Sequence, residues 1–415
     1  MKEEMCDIGS LIRDESLTTH YQPIISIKKN SIIGFEALSR GITPAGETIA
    51  PGDLFSLASK HGLSLDLDRL CRKKALAGFR GLELADNEYI LSVNIDPVAL
   101  EEGRGSGNLE GMVLQHAIQP GRLLIEVTKS NACSLESLDA FVKHYRDKGY
   151  LIALDDVGAG FSSLERISII RPDVLKIDCA LTARINSGHH SRETIRALVS
   201  LAHKTGSLVI AEGVETEEHV LAALELGVDM LQGYYFSRPV KDASSIIGDV
   251  GEKIVSIAKI SKNNIVKKIN MRKTQHKQYS QIVNDFVAEL SKVEEDKLDE
   301  TLKELVKRYP LLECAYVLDA NGIQSSSTVF SGERLSGPQD FFFQPAQKGA
   351  DQSSKDYYFL VASGLLKYTT GPYISLASRH ICITISVAFR DLRYGKKILC
   401  LDIVQEENPP PSARV

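Results

Sequence analysis

Short β-rich apolar runs alternate with longer amphipathic runs from about residue 20 to residue 240. Most short runs are apolar at successive positions, which is typical of parallel strands covered on both faces. The amphipathic runs carry helix signals, such as Thr216 before the first helical turn and Gly227 after the last. The pattern predicts βα units on a largely parallel sheet. The strand-like runs are 88–95, 122–127, 150–156, 173–178, 208–213 and 228–236.

The number of these units points to one architecture. At least six βα units over some 220 residues favour a (β/α) barrel of the TIM type over an open sheet. The sequence has neither a P-loop nor a GxGxxG run that would support a nucleotide-binding open fold. We therefore predict an α/β barrel domain over residues 1–248.

The pattern changes after Pro239. Residues 253–309 are rich in Lys and Glu, contain no Pro or Gly, and predict a helical linker over 249–310. This linker is either a polar connector packed on its neighbours, or a helix that couples domains or pairs in a dimer. A small α+β domain follows over 311–405, and residues 406–415 are predicted to be disordered. The candidate strands of that domain are 313–318, 357–362, 381–387 and 397–403.

Composition and charge narrow the class of protein. With 43% hydrophobic and 25% charged residues, the chain has the composition of a globular protein. Its net charge of -5 argues against a nucleic acid polymer as partner, since such binding needs clustered Lys and Arg. No apolar run is long enough to span a membrane, and the acidic N-terminus does not resemble a secretory signal. We expect a cytoplasmic protein without membrane insertion, whose seven cysteines are reduced.

Oxygen-bearing side chains stand at the ends of the strand-like runs. The carboxyl ends of parallel barrel strands form the mouth where active sites lie. Several carboxylates gathered at one mouth would repel one another unless a cation lay among them. A single carboxylate of this kind could equally cap a helix or form a salt bridge. The side chains at these ends are Glu36, Asn94, Glu126, Asp155, Asp156, Lys176, Glu212 and Gln232.

The donor types indicate the chemistry. No His or Cys falls at these positions, which disfavours zinc and favours Mg²⁺ or Mn²⁺. Such ions polarise phosphoryl oxygens and acidify water, so phosphoester hydrolysis is the predicted reaction. Lys176 would offset charge on the phosphate or orient the water, and Asp156 is a candidate base. A structural pair between Lys176 and a carboxylate is the alternative. Arg40 is either a phosphate ligand or a surface salt-bridge partner.

Seven motifs carry a family resemblance over about residues 10–245. Their order and spacing resemble the EAL-domain family of cyclic-di-GMP (c-di-GMP) phosphodiesterases. The resemblance implies a modified TIM barrel that linearises c-di-GMP to pGpG with metal-activated water. The motifs are Phe35-Glu36-Ala37-Leu38-Ser39-Arg40, Ser92-Val93-Asn94, Ile125-Glu126-Val127-Thr128, the loop 155–164, Leu175-Lys176-Ile177-Asp178, Ala211-Glu212-Gly213-Val214-Glu215 and Gln232-Gly233-Tyr234-Tyr235-Phe236.

The resemblance also implies residue roles. Lys176 matches the lysine that contacts the attacking water, and Asp156 is placed to hold a second ion. Gln232 and Glu215 match supporting positions, while Gln22 and Arg40 match residues that contact the dinucleotide. Family members commonly form dimers through the barrel, so we expect a homodimer. The implied metal ligands are Glu36, Asn94, Glu126, Asp155 and Glu212.

One departure from the family pattern bears on activity. Lys129 follows Thr128 where the family usually has a glutamate that anchors the glycine-rich loop. A cation near Asp155 and Asp156 would compete with metal. The alternative to an enzyme is therefore a catalytically impaired EAL domain that acts as a c-di-GMP receptor. The C-terminal domain resembles PAS-like or Cache-type sensor modules and is expected to bind an unknown small ligand, with the aromatic residues 341–343 and 357–359 forming either a pocket lining or core.

Overall fold

The computed structural model describes residues 7–82, 89–95, 107–127, 134–158, 163–332 and 344–405. The chain divides into two compact units, residues 1–265 and 266–415, which are described separately below. None of the helices in these described ranges combines the length and apolarity needed to cross a lipid bilayer. Cys71, Cys179, Cys314, Cys382 and Cys400 are all free thiols.

The first unit is a closed barrel of eight strands with helices outside. The strands follow the ring order β1-β9-β8-β7-β6-β5-β4-β2, closed by pairing of β1 with β2, and the short β3 extends β2. All neighbours in the ring are parallel except β1, which runs antiparallel to both β2 and β9. The α/β barrel prediction is confirmed. The strands are β1 Leu17–Ser26, β2 Ser31–Ile42, β3 Thr48–Ile49, β4 Ile90–Ile95, β5 Leu123–Val127, β6 Leu151–Val157, β7 Val174–Ile177, β8 Leu208–Ala211 and β9 Met230–Leu231.

The helices of this unit bury one face each against the strands. Helix α3, Ser64–Gly81, buries Leu67, Leu76 and Phe79. Helix α9, Glu217–Glu225, begins where the Thr216 side chain accepts a hydrogen bond from the His219 amide, as the sequence predicts. The helices with described bounds are α1 Ile8–Arg13, α2 Pro51–Lys60, α3 Ser64–Gly81, α4 Gly107–Gln115, α5 Leu135–Asp147, α6 Ser163–Ile170, α7 Cys179–Thr182, α8 His189–Lys204, α9 Glu217–Glu225 and the start of α10 Ile247–Leu290.

An apolar layer fills the barrel interior below the mouth. It takes one residue from each of six strands, and all six are buried. Side chains that point into the barrel recur at every second position of a strand. The next inward position toward the mouth is therefore two residues away on each strand. The layer consists of Ile24, Leu124, Ala153, Val174, Ile210 and Met230.

The second unit contains an antiparallel sheet in the order β11-β10-β15-β14-β12, with β13 paired to β14. Successive side chains along a strand point to opposite faces of this sheet. On β15, Leu399 and Leu401 pack on one face, while Ile398 and Cys400 pack on the other. The elements are α11 Leu298–Lys307, β10 Leu312–Leu318, β11 Val329–Phe330, α12 Asp356–Ala362, β12 Lys367–Thr369, β13 Tyr373–Ile374, β14 Ile381–Arg390 and β15 Lys396–Val404.

One strand prediction for this half of the chain is wrong, and the predicted helical run 253–309 is divided into two helices. The apolar run 357–362 is helix α12 rather than a strand, and Tyr357, Tyr358 and Val361 pack against the sheet at helical spacing. The run 253–309 is broken between α10 and α11. Because Leu290 and Leu298 are both buried in the same apolar cluster, the chain has to turn back between them.

Candidate active site

A polar layer lies directly above the apolar layer of the barrel. Two residues beyond Leu124, Ala153 and Val174 come Glu126, Asp155 and Lys176. Glu212 and Gln232 follow Ile210 and Met230 at the same interval. On the antiparallel β1 the step runs the other way, from Ile24 back to Gln22. The strand period of two therefore places all these side chains at one end of the barrel.

Lys176 stands at the centre of this layer and is fully buried. Its Nζ lies 2.7 Å from Glu212 Oε1, 2.8 Å from Glu126 Oε1, 3.2 Å from Glu36 Oε2 and 3.6 Å from Asp155 Oδ1. One ammonium group thus contacts four carboxylates that are distant in sequence. The structure thus brings together the carboxylates at the strand ends, as the sequence predicts. It also shows the ion pairs between Lys176 and carboxylates that were considered as the alternative to a catalytic role.

Glu36 is held by neutral donors as well as by Lys176. Gln232 Nε2 donates to Glu36 Oε2 at 2.6 Å, and Asn94 Nδ2 donates to Glu36 Oε1 at 3.1 Å. Gln232 Nε2 also lies 3.2 Å from Gln22 Oε1, and Gln22 Nε2 donates to the Ser237 carbonyl. Each carboxylate oxygen of Glu36 is therefore fixed in direction by one amide side chain, and Gln22 contacts the Gln232 amide in turn.

The loop after Gln232 depends on a glycine. A Cβ at Gly233 would lie 2.2 Å from the Val214 carbonyl oxygen, so a larger residue would push the two backbones apart. The close approach lets Val214 N donate to the Gln232 carbonyl and Tyr235 N donate to the Val214 carbonyl. These bonds connect the loop after β8, which carries Glu212, to the segment that carries Gln232.

The two carboxylate oxygens of Glu126 differ in their hydrogen bonding. Ser92 Oγ donates to Glu126 Oε1 at 2.5 Å, in addition to the contact with Lys176. Glu126 Oε2 is buried and has no hydrogen-bond partner in the described part of the chain. A buried carboxylate oxygen without a partner is costly, and a cation bound at the mouth would satisfy it. The carboxylate and amide donors here are those that Mg²⁺ and Mn²⁺ prefer.

Asp155, Asp156 and Glu212 form the group best placed to hold an ion. One oxygen from each lies within 4.8 Å of the others. The pairing of β6 with β7 shifts register between Leu154 and Val157, and Asp156 has a φ of 53° in the left-handed region. This bulge turns Asp156 away from the regular alternation, so that consecutive aspartates both contribute to the group. Asp156 N donates to Asp155 Oδ1 at 2.9 Å.

Burial and charge move the pKa values of the cluster in different directions. Burial raises the pKa of Glu212 to about 8, with Asp155 and Glu36 adding to the rise. Burial likewise raises the pKa of Glu126 and of Asp155. Burial would also raise the pKa of Glu36, but Lys176 and Gln232 hold it below its usual range. The four carboxylates keep the pKa of Lys176 well above its ordinary value despite its burial. Carboxylates outnumber cationic groups in this cluster, and a bound cation would favour their charged forms.

Other predicted site residues lie around this centre. Arg40 is on β2, two strand periods beyond Glu36, and its Nη1 donates to the Ser39 carbonyl at 2.9 Å. Glu215 is exposed in the loop before α9. Thr128, Lys129 and residues 159–162 of the glycine-rich loop lie outside the described residues. The roles assigned to these residues stay predictions.

A side cavity of about 160 Å³ lies beside Asn94 and was not predicted from the sequence. Asp68 and Arg72 line it from α3; both are buried, and Arg72 Nη2 lies 2.6 Å from Asp68 Oδ2. Arg72 Nε and Nη1 have no hydrogen-bond partner in the described structure. The signal in the sequence was an Asp and an Arg four residues apart on the otherwise apolar stripe of an amphipathic helix.

Comparison with known families decides the assignment of this barrel. The model of the EAL domain matches residues 5–239, which is more than half of the chain. The chain belongs to the EAL domain family. The resemblance inferred from the seven motifs is thereby confirmed for the barrel.

Curated relatives match over the same part of the chain. A cyclic di-GMP phosphodiesterase, PdeA of Borreliella burgdorferi, is 29% identical over 229 residues, 55% of this chain and 34% of that protein. The cyclic di-GMP phosphodiesterase NbdA of Pseudomonas aeruginosa is 30% identical over 246 residues, 58% of this chain and 30% of that protein. The matches thus span about a third of the length of these EAL relatives.

Solved structures give a similar picture. The YkuI protein of Bacillus subtilis, with an EAL domain and in complex with substrate c-di-GMP and calcium, has a TM-score of 0.80 and 22% identity, covering 97% of this chain and all of that chain. At this identity the likeness establishes the fold. A c-di-GMP complex of the PaMucR phosphodiesterase has a TM-score of 0.54 and 27% identity, covering 59% of this chain and 99% of that one.

Proposed function

We propose that this chain hydrolyses c-di-GMP to linear pGpG with the help of Mg²⁺ or Mn²⁺. The observation that carries the proposal is the buried cluster in which four carboxylates converge on Lys176 beside the Asp155, Asp156 and Glu212 group. Curated relatives of the same EAL family are named as c-di-GMP phosphodiesterases, which supports this substrate.

The residues that would hold the metal all carry oxygen donors at the barrel mouth. The unpartnered Glu126 Oε2 and the excess of carboxylates over cations fit such an ion. A divalent ion supplies Lewis acidity toward the phosphodiester and lowers the pKa of water. The proposed ligands are Glu36, Asn94, Glu126, Asp155, Asp156 and Glu212.

The protein side chains handle the proton and the charge. Hydrolysis adds a water oxygen to phosphorus and breaks the bond from phosphorus to the 3′-oxygen, which gains a proton. Asp156 would accept a proton from the attacking water, and Lys176 would hold that water in line and offset charge on the phosphate. Gln232 keeps Glu36 oriented through its 2.6 Å hydrogen bond. Glu215 is proposed to support the same end of the barrel.

The dinucleotide would be bound around this centre. Gln22 is at the floor of the mouth, and Arg40 offers a guanidinium fork for a phosphate. The side cavity next to Asn94 is a candidate subsite for one guanine base. The Asp68 carboxylate there could accept hydrogen bonds from the donor edge of guanine, with Arg72 fixing its orientation.

A second candidate function is a c-di-GMP receptor without turnover. Lys129 favours it, because the EAL family usually has a glutamate at this position. The pocket would then bind the dinucleotide, and the protein would report its occupancy through the C-terminal unit. We further propose that this unit is a PAS-like or Cache-type sensor, that the chain acts as a homodimer, and that it works in the cytoplasm.

One experiment separates the two functions. Purified full-length protein is incubated with c-di-GMP and Mn²⁺ or Mg²⁺, products are separated by anion-exchange chromatography, and binding is measured in parallel by calorimetry with Ca²⁺. Metal-dependent appearance of pGpG supports the enzyme, and binding without product supports the receptor. Absence of both binding and turnover contradicts both functions.

The variant Lys129→Glu sharpens this test. If loss of the loop anchor limits turnover, Lys129→Glu raises the rate of pGpG formation. The matched control is Lys143→Glu, which makes the same charge reversal on the exposed face of α5. Equal rates for the wild type and both variants would refute the role given to Lys129.

A further inference from the structure

The C-terminal unit contains a cavity of about 690 Å³ that is separate from the barrel site. It is bounded by one face of the sheet, by the start of α12 and by the segment 370–377. The first apolar cluster of this unit covers the opposite face of the same sheet with α10 and α11. The cavity therefore lies on the face that these two helices leave open.

A single acidic side chain is buried at the base of the cavity. Asp402 is 4% exposed, and the alternation along β15 places it on the same face as Ile398 and Cys400. Thr384 Oγ1 donates to Asp402 Oδ1 at 2.7 Å, while Tyr373 OH and Cys314 Sγ donate to Oδ2 at 3.2 and 3.5 Å. No cationic side chain in the described ranges forms an ion pair with Asp402. A buried carboxylate without a countercharge is costly to the folded state.

A second buried acceptor lines the same cavity. Gln324 is 1% exposed, and its Nε2 donates to the Ser326 carbonyl, to Thr328 Oγ1 and to the Ala346 carbonyl. Two carbonyl partners fix the amide orientation, because a carbonyl can only accept. Gln324 Oε1 has no hydrogen-bond partner in the described structure. Among the described residues, the lining thus contains a buried carboxylate, Asp402, that has no cationic partner, and a buried amide oxygen, Gln324 Oε1, that accepts no hydrogen bond.

Aromatic rings form much of the remaining wall. The rings of Tyr316 and Tyr357 meet edge to face at 6.3 Å, and Tyr368 and Tyr373 line the cavity with them. The Tyr357 hydroxyl donates to Gln352 Oε1 and the Tyr373 hydroxyl donates to Asp402, so these hydroxyls are already used. Aromatic faces attract cations through their negative quadrupole.

We propose that this cavity binds a small organic cation whose ammonium group pairs with Asp402 and whose carbon skeleton contacts the tyrosine rings. An ammonium group offers the hydrogen-bond donors that Asp402 and Gln324 Oε1 need, together with the missing positive charge. An anionic ligand is disfavoured by both acceptors. Of the described lining residues, Lys355 is cationic, but it is exposed at the rim beside Asp356.

A bound metal ion does not explain the cavity equally well. In the described residues, three or more His, Cys, Asp or Glu side chains gather within metal-binding distance at the barrel mouth and not around Asp402. A volume of about 690 Å³ also exceeds what a single ion needs and lies within the range of organic ligand sites. The proposal is independent of the phosphodiesterase assignment.

The test compares three probes of one shape and different charge. Phenethylamine, 2-phenylethanol and 3-phenylpropionate are titrated into the full-length protein by calorimetry and by saturation-transfer NMR, with butylamine and spermidine as further amines. We expect amines to bind and the alcohol and the carboxylate to bind at least about tenfold more weakly. Equal binding of the alcohol, preferential binding of the carboxylate, or no binding by any of the three amines at millimolar concentration overturns the proposal.

Variants locate the binding. Asp402→Asn keeps the shape but removes the charge, and should weaken amine binding by about tenfold or more. The control Asp296→Asn makes the same change at an exposed position of the same unit and should leave binding unchanged. Ala377→Phe fills part of the cavity without altering the buried polar groups and should also abolish binding. Unchanged binding in a folded Asp402→Asn or Ala377→Phe variant, judged by circular dichroism, contradicts the assigned site.

Discussion

Two sites in this protein bury carboxylates, and the carboxylates have different partners in each site. At the barrel mouth, four carboxylates contact one buried ammonium group, and a fifth, Asp156, stands beside them. In the C-terminal unit, Asp402 is surrounded by hydroxyl and thiol donors and pairs with no cationic side chain among the described residues. Burial raises the pKa of Asp402 to about 6.

The difference shows what each site requires from outside the chain. The barrel site carries its own lysine, which fixes the geometry, but carboxylates still outnumber cationic groups there. The C-terminal site has neutral donors that fix the carboxylate without compensating it. The first arrangement is suited to a divalent ion and a phosphate, and the second to a proton or a singly charged ligand.

The largest expected effect comes from removing the central cation of the barrel. Lys176→Met leaves four carboxylates without their shared partner, so we expect pGpG formation to fall by about 10²–10³-fold or more. Breaking buried ion pairs of this kind costs about 3–5 kcal/mol of stability. Chromatography of products and thermal unfolding measure the two effects. The control Lys143→Met removes an exposed lysine of α5, and similar behaviour of both variants would show that the cluster is not organised by Lys176.

A smaller effect is expected from one carboxylate of the ion group. Glu212→Gln keeps the shape but removes a charged oxygen donor, so affinity for Mn²⁺ should fall about 10–100-fold and turnover with it. Calorimetric titration of Mn²⁺ into the protein gives the affinity directly. Glu217→Gln, at an exposed position on α9, is the matched control. Full Mn²⁺ affinity in Glu212→Gln would remove Glu212 from the ligand set.

The stability of the folded protein should depend on pH through Asp402. Its folded pKa of about 6 lies above the ordinary 3.8, so protonated Asp402 contributes stability at low pH that is lost as pH rises from about 4 through 6. The free energy of unfolding should fall by about 3 kcal/mol across this interval. Asp402→Asn removes this titration. As pH rises over this interval, the unfolding midpoint of the wild type should therefore fall relative to that of Asp402→Asn. A difference between the two midpoints that does not change with pH would contradict the assigned burial.

The smallest effect concerns a single donor to the same carboxylate. Thr384→Val removes the 2.7 Å hydrogen bond to Asp402 Oδ1 while keeping a β-branched residue on β14. We expect the free energy of unfolding to fall by about 1–2 kcal/mol near neutral pH, where Asp402 is charged, and by less below pH 5, where it is protonated. Denaturant unfolding at the two pH values measures both changes. The exposed Thr369→Val on β12 is the control. Equal losses at both pH values would mean that Thr384 does not stabilise the charged form.

Much of the barrel could be predicted because its strands are short continuous apolar runs. The runs 122–127, 150–156, 173–178 and 208–213 agree with β5, β6, β7 and β8 to within about two residues. The run 228–236 yields a strand only at Met230–Leu231, because its later residues turn to hydrogen-bond the loop after β8. The oxygen donors at the strand ends could be found because the period of two extends the apolar layer directly into the polar one.

The remaining features depend on contacts that a local pattern does not contain. The run 357–362 has strong β-forming residues, yet tertiary packing of Tyr358 and Val361 makes it a helix. The side cavity needs Asp68 and Arg72 to be buried together, which their spacing alone left ambiguous. Asp402 occupies a position in a strand run that alternates between faces, but its burial depends on β10 and β14 pairing on either side of β15.

The ring closure of the barrel has a consequence for how the protein is made. Glu36 leaves the ribosome 196 residues before Gln232, the amide that fixes its Oε2. Until β9 docks beside β1, Glu36 has the Asn94 amide at Oε1 but lacks the Gln232 amide at Oε2, and the ring of strands is open at one position. The polar layer around Glu36 is therefore completed in a single step, when the short strand β9 closes the ring.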